Sequence, residues 1–140
     1  MSASINNQID SPVVEVVALA LQNSTDKKYL LARRGPGGSG ARCWEFPGGK
    51  IELGETQEQA LCREIFEELA FVLEPQQLTY VGKNEHAYGN RKVRIFLFRY
   101  EVNYRPEFHL LDHDRAEWYW AQQLQEINLS EADKSFISLI

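Results

Sequence analysis

Cysteine is scarce in this chain. Cys43 and Cys62 are the only two, and two thiols at unrelated positions make neither a disulfide framework nor a zinc motif. They are expected to be free thiols in a reducing cytosol. No apolar run approaches the roughly 20 residues that a membrane helix needs, so no membrane partner is expected. Met1 to Pro12 shows no basic start followed by an apolar stretch, so no secretion signal is read and the expected location is cytoplasmic. Positive charge is also short: 15 Lys and Arg stand against 20 Asp and Glu, a formal net charge of -5. That balance lacks the basic surplus of a nonspecific nucleic-acid binder. Internal repeats, low-complexity segments and linkers are missing as well. What is present is 140 residues of ordinary composition, 44% hydrophobic and 25% charged. That length suffices for one domain with a real core and little more.

Residues 1–11 are polar and expected to be loose. Val13 to Leu21 is apolar and rich in β-branched residues, the pattern of a strand buried on both faces. Asn23 to Lys28 carries turn chemistry, and Tyr29 to Ala32 reads as the second strand of a hairpin. Gly35 to Gly40 marks a loop. Trp44 to Phe46 reads as a short strand, ended by the turn Pro47-Gly48-Gly49. Thr56 to about Leu69 reads as a helix opened by a capping box, Thr56 with Gln59. Leu78 to Lys83, Val93 to Val102 and Trp118 to Trp120 read as further strands, and Ser130 opens a C-terminal helix with Asp133 at its third position. Strands mixed with a few helices suggest a single α+β domain over residues 1–140.

The helix carries the strongest signal. Wound at about 100° per residue from Ala60, Glu64, Glu67 and Glu68 share a sector about 100° wide. Leu61, Cys62, Ile65, Phe66 and Leu69 fall on the other side, and Glu55 stands just ahead of the first turn. A solvated acidic face is the plain explanation. Against it, Glu64 and Glu68 are a like-charged i,i+4 pair, a destabilising arrangement of roughly 0.2–0.5 kcal/mol. Glu67 and Glu68 also lie toward the end of the helix that favours bases. A divalent cation among these carboxylates would reverse that sign, and hard oxygen ligands select magnesium, calcium or manganese over zinc. The Gly48-Gly49 turn upstream lets backbone approach a ligand and supplies carbonyls.

These residues resemble the Nudix box. Gly49, five residues, Glu55, seven residues, then Arg63-Glu64-Ile65-Phe66-Glu67-Glu68 matches its charged positions in full. Ala70 departs from it, standing where the box has a glycine that would cap the helix. Glu45-Phe46-Pro47-Gly48-Gly49-Lys50 and Arg33-Arg34 look like the MutT-type branch. The resemblance covers about Val13 to the C-terminus, strongly in the box and loosely elsewhere. It implies an α/β/α sandwich with a mixed central sheet. It also implies hydrolysis of a nucleoside diphosphate linked to a further group.

The same resemblance implies roles. Glu64, Glu67 and Glu68 become metal ligands for Mg²⁺, with Mn²⁺ as a substitute, and the Gly48 carbonyl becomes another. Arg63 is expected to pair with Glu55 or another acid of the box and hold the loop on the helix. A further acid is implied before the late tryptophan strand: Asp112 fits by its spacing to Trp118, Asp114 is the rival, and a plain acidic loop Asp112-His113-Asp114 is the alternative. Arg34, Arg91 and Lys50 are candidates for phosphate contacts. Phe46 is a candidate stacking face for the base, or a core residue. Asp133 aligns with an asparagine that reads the purine in MutT-type proteins; ionised, it would only accept hydrogen bonds. Glu15 is a candidate for the same pocket. The expected activity is Mg²⁺-dependent pyrophosphohydrolysis of a (deoxy)nucleoside triphosphate partner, releasing a monophosphate and pyrophosphate. The expected task is nucleotide-pool sanitation with 8-oxo-dGTP. Cytidine triphosphates, including 5-methyl-dCTP, triphosphorylated RNA ends and other nucleoside diphosphate-linked compounds are the alternatives. A monomer or homodimer is expected.

Overall fold

The structure is a computed structural model, and it describes residues 12–38 and 40–140. The expectation for residues 1–11 lies outside the described residues. Seven strands form one mixed sheet: β1 (Val13–Asn23), β2 (Tyr29–Arg34), β3 (Trp44–Glu45), β4 (Gly48–Lys50), β5 (Thr79–Tyr88), β6 (Arg91–Val102) and β7 (His113–Tyr119). The order is β3-β2-β1-β6-β5, with β4 also on β1 and β7 on β2. β1 and β6 run parallel over their whole length, from Val13 opposite Lys92 to Asn23 opposite Val102. The remaining pairings are antiparallel.

β1 is apolar without alternation because both of its faces are covered. Val17, Leu19 and Leu21 pack with Phe96, Phe98 and Tyr100 beneath the α-helix α1 (Gln57–Leu69). Ala18 and Ala20 pack on the opposite face with Leu97, Leu124, Leu129 and Phe136. Three layers result, the α/β/α sandwich anticipated above.

Three local expectations need correction. The β1–β2 hairpin is joined at a single Cα pair, Gln22 opposite Tyr29, and then forks. The segment Trp44–Lys50 fills the fork: β3 pairs with β2, and β4 pairs with β1. The C-terminal helix is a 3-10 segment, Glu131–Leu139, preceded by shorter ones at Pro75–Gln77 and Ala121–Gln125. Its three-residue period stacks Asp133 and Phe136 on one line, and both are buried. Third, the apolar side of α1 is rotated. Ala60, Leu61, Ile65 and Leu69 are buried together with Glu68, whereas Phe66 is exposed. The helix lies against the side-chain-free backbone of Gly48 and Gly49, which leaves room for carboxylates on its inner edge.

Candidate functional site

The fork sets the site. Leu19 donates its N–H to the Pro47 carbonyl at 2.9 Å, and β4 continues the pairing through Gly48 and Gly49. Neither glycine tolerates a side chain. A Cβ on Gly48 would stand 1.9 Å from the Val17 carbonyl oxygen, and one on Gly49 would stand 2.2 Å from Glu64 Oε1. Glycine is required here for close approach, on one side to backbone and on the other to a carboxylate.

Arg63 organises the acids. Its Nε and Nη2 grip Glu55 at 2.6 and 2.9 Å, Nη1 reaches Glu64 at 2.9 Å and Glu67 at 3.2 Å, and Nη2 also donates to the Lys50 carbonyl at 3.0 Å. Glu55 in turn accepts the Glu52 N–H at 2.8 Å. The Arg63 guanidinium and that N–H hold the Glu55 carboxyl down at about 2. Glu64 and Glu67 share one guanidinium, a neutralisation that a one-dimensional helix count does not reveal, whereas the like-charged pair Glu64 and Glu68 keeps its repulsion. The box loop is fastened to the helix by the same contact.

Glu68 differs. It is buried and accepts the Gly48 N–H at 3.3 Å. Burial, with Glu64 and Glu45 adding, pushes its carboxyl up to about 8 against the pull of His113. Asp112 is exposed at the cleft, whereas Asp114 is committed to Arg33 at 2.9 and 3.0 Å. The rival acid is thus engaged elsewhere, because β7 begins at His113 and turns Asp114 outward.

One cleft of about 960 Å³ runs across the fork. Glu68, Asp112, His113, Glu45 and Arg34 line it toward α1, and Phe46, Asp133, Tyr88, Val14 and Val16 line it toward the C-terminal segment. Lys50 and Arg91 are exposed at its rim. Glu64, Glu67, Arg63 and Glu55 stand behind the glycines and do not line it. Phe46 is 3% exposed and packs in the core, the alternative given for it, while it also contributes to the cleft lining. Glu15 is corrected: it pairs with Arg94 at 3.0 Å on the other face of β1, because successive strand residues alternate in direction.

Asp133 is 4% exposed, and its Oδ2 accepts the Phe46 N–H at 3.2 Å. Burial, reinforced by the charge of Glu45, pushes it up to about 8 despite that N–H. At neutral pH the carboxyl is mostly protonated and offers both a donor and an acceptor, as asparagine does. The ionised, acceptor-only Asp133 assumed from sequence is corrected on that ground.

Sequence reasoning gave no role to Glu45, His113 or Tyr88. His113 is buried, and its Nε2 lies 2.8 Å from Glu45. Burial alone would lower its pKa, but Glu45, Glu68 and Asp112 outweigh that and raise it. Glu45 and His113 are 68 positions apart, and no local pattern links them.

Among the described residues no three His, Cys, Asp or Glu side chains already converge as a metal cage. The donors nonetheless suit a hard cation: Glu64, Glu67, Glu68, Asp112 and the Gly48 carbonyl are all oxygen. Among the described residues Glu68 in particular is a buried carboxyl group with no Lys or Arg ion pair. Among the described residues no helix is long and apolar enough to cross a membrane.

The comparisons with known proteins agree with this geometry. A CTP pyrophosphohydrolase of Escherichia coli K12 is 32% identical over 125 residues, 86% of each chain. An 8-oxo-dGTP diphosphatase of the same organism is 33% identical over 85 residues, 61% of this chain and 64% of the relative. The crystal structure of a MutT protein from Methanosarcina mazei Go1 superposes with a TM-score of 0.81 at 21% identity, covering 93% of this chain and 94% of the other. The NUDIX domain model matches residues 12–140. The chain therefore belongs to the Nudix family, in its MutT-type branch, and is a hydrolase of phosphoric anhydrides.

Proposed function

We propose that this hydrolase is a Mg²⁺-dependent pyrophosphohydrolase of (deoxy)nucleoside triphosphates, with 8-oxo-dGTP and nucleotide-pool sanitation as its leading substrate and task. The observation that carries the reading is the single cleft joining two unlike ends. At one end a neutral buried carboxyl, Asp133, sits among apolar residues and suits the hydrogen-bonding edge of a base. At the other end acids and exposed cations gather, which suits a polyphosphate with its metal.

Glu64, Glu67, Glu68, Asp112 and the Gly48 carbonyl would hold the cation. Bound Mg²⁺, or Mn²⁺ in its place, supplies neutralisation of phosphate charge and a more acidic attacking water. The chain's own residues do the rest. Arg34, Lys50 and Arg91 grip phosphate oxygens from the rim. Asp112, exposed beside them, accepts the proton of the attacking water. Arg63 stays on Glu55 and keeps the acids in place. Phosphoryl transfer needs little more than positioning and charge stabilisation.

Cytidine triphosphates are a second reading, supported by the 86% mutual coverage with the CTP pyrophosphohydrolase. A panel with Mg²⁺ tests both: 8-oxo-dGTP, dGTP, CTP, 5-methyl-dCTP, ADP-ribose and triphosphorylated RNA. Pyrophosphate release with highest kcat/KM on 8-oxo-dGTP supports the first reading, and highest kcat/KM on a cytidine nucleotide supports the second. Highest kcat/KM on ADP-ribose or on RNA ends overturns the proposal.

A further inference from the structure

The end of β2 carries an irregularity that bears on the phosphate end of the cleft. The β2–β7 ladder runs from Tyr29 opposite Tyr119 to Arg33 opposite Arg115, and then skips to Arg34 opposite His113. Asp114 is the extra residue of a β-bulge. Bulges beside active sites re-aim side chains. This one is pinned from outside, since Asp114 is held by Arg33 at 2.9 and 3.0 Å and faces Arg42 at 3.8 Å. The result is that His113 lies directly across from Arg34.

Glu45 joins the same face. It lies opposite Ala32, and Arg34 is two residues further along β2, so the pleat puts Glu45, Arg34 and His113 on one side of the sheet. Glu45 spends its two oxygens on the other two residues. Oε2 takes His113 Nε2 at 2.8 Å, and Oε1 lies 3.5 Å from Arg34 Nη1. The His113 side chain is 4% exposed, and its Nδ1 has no hydrogen-bond partner among the described residues. Burying an imidazole with one nitrogen unpaired costs stability, and a phenyl ring would fill the space without that cost. The looser Glu45–Arg34 contact steers the half-exposed guanidinium while leaving donors free for a ligand.

We propose that His113 is a positioning residue: it locks the Glu45 carboxylate, which in turn aims the Arg34 guanidinium into the cleft to take the phosphates of the substrate. The proposal rests on the reading of Arg34 as a phosphate-binding residue of the triphosphate site.

A double-mutant cycle tests it, by steady-state kinetics on whichever phosphoric anhydride the wild-type protein turns over. Arg34→Ala and His113→Phe each raise KM about ten-fold with kcat little changed, the size of one lost charged hydrogen bond. His113→Gln, which keeps an N–H donor, recovers most of the loss. In the double variant the two KM effects do not multiply, because both act through one guanidinium. Glu45→Gln breaks the same link without touching the ring and carries the test if His113→Phe does not fold. Multiplying effects overturn the proposal, as does an unchanged KM in folded His113→Phe or Glu45→Gln. Absence of triphosphate turnover overturns the substrate reading instead, and leaves this cycle readable on the substrate that is cleaved.

Discussion

Two carboxyl groups held near neutrality, Glu68 and Asp133, are the residues on which the site turns. Both are raised by burial, to about 8. For Asp133 the unfolded value is near 3.8. Between those values the folded chain keeps a proton that the unfolded chain has released, so stability falls as pH rises from about 4 to about 8. Asp133→Asn removes that contribution and keeps an oxygen for the Phe46 N–H. Thermal melts from pH 5 to pH 9 should show a shallower loss of Tm in Asp133→Asn, and a Tm several degrees higher than wild type near pH 8. Parallel curves would place the ionisation elsewhere. Glu67 is a different case, with its side chain 58% exposed and tied only to Arg63. Glu67→Gln should leave Tm within about 2 °C while kcat falls about a hundred-fold or more, the loss expected when a charge-stabilising group is removed. Near-normal turnover would remove Glu67 from the metal site.

At the scale of elements, glycines and caps decide. Gly48→Ala drives a Cβ against the Val17 backbone, which cannot move without breaking the β1–β4 pairing. Gly49→Ala meets the Glu64 carboxylate first, the far end of a side chain that can swing away. The first should lower Tm by many degrees, and the second should keep the fold but lose activity; calorimetry and kinetics on the pair separate these outcomes. Ala70 ends α1 in the left-handed region at φ 57° and ψ 32°. Ala70→Gly relieves that strain and should stabilise the protein by about 1 kcal/mol in chemical denaturation. The sequence announced α1, because Thr56 and Gln59 form the capping box that they spell, at 2.9 and 3.0 Å. It announced β1 through an apolar run covered on both faces. The fork did not show, because Pro47 to Gly49 enter it through backbone hydrogen bonds that leave no side-chain signature. The burial of Glu68 did not show either: a helical count gives direction but not the glycine surface against which the helix lies. Arg63, Glu55 and the acids were legible from their spacing. Glu45 and His113 were not, since only the bulge at Asp114 brings them together.

The whole molecule places its charge by location rather than by total. A chain of net charge -5 gathers Arg34, Lys50 and Arg91 around one cleft, and stores its box acids behind Gly48 and Gly49 on a single guanidinium. The sheet forks where these two arrangements meet, at Gly48 and Gly49. In the proposed reading a cation would join them, and Glu68, without a Lys or Arg ion pair among the described residues, would receive it. The most direct test is Mn²⁺ binding at pH 7.5, followed by electron paramagnetic resonance, in wild type and in Glu68→Gln. The account predicts saturable binding by the wild-type protein, weakened ten-fold or more by the substitution. Equal affinity in the two proteins would contradict it.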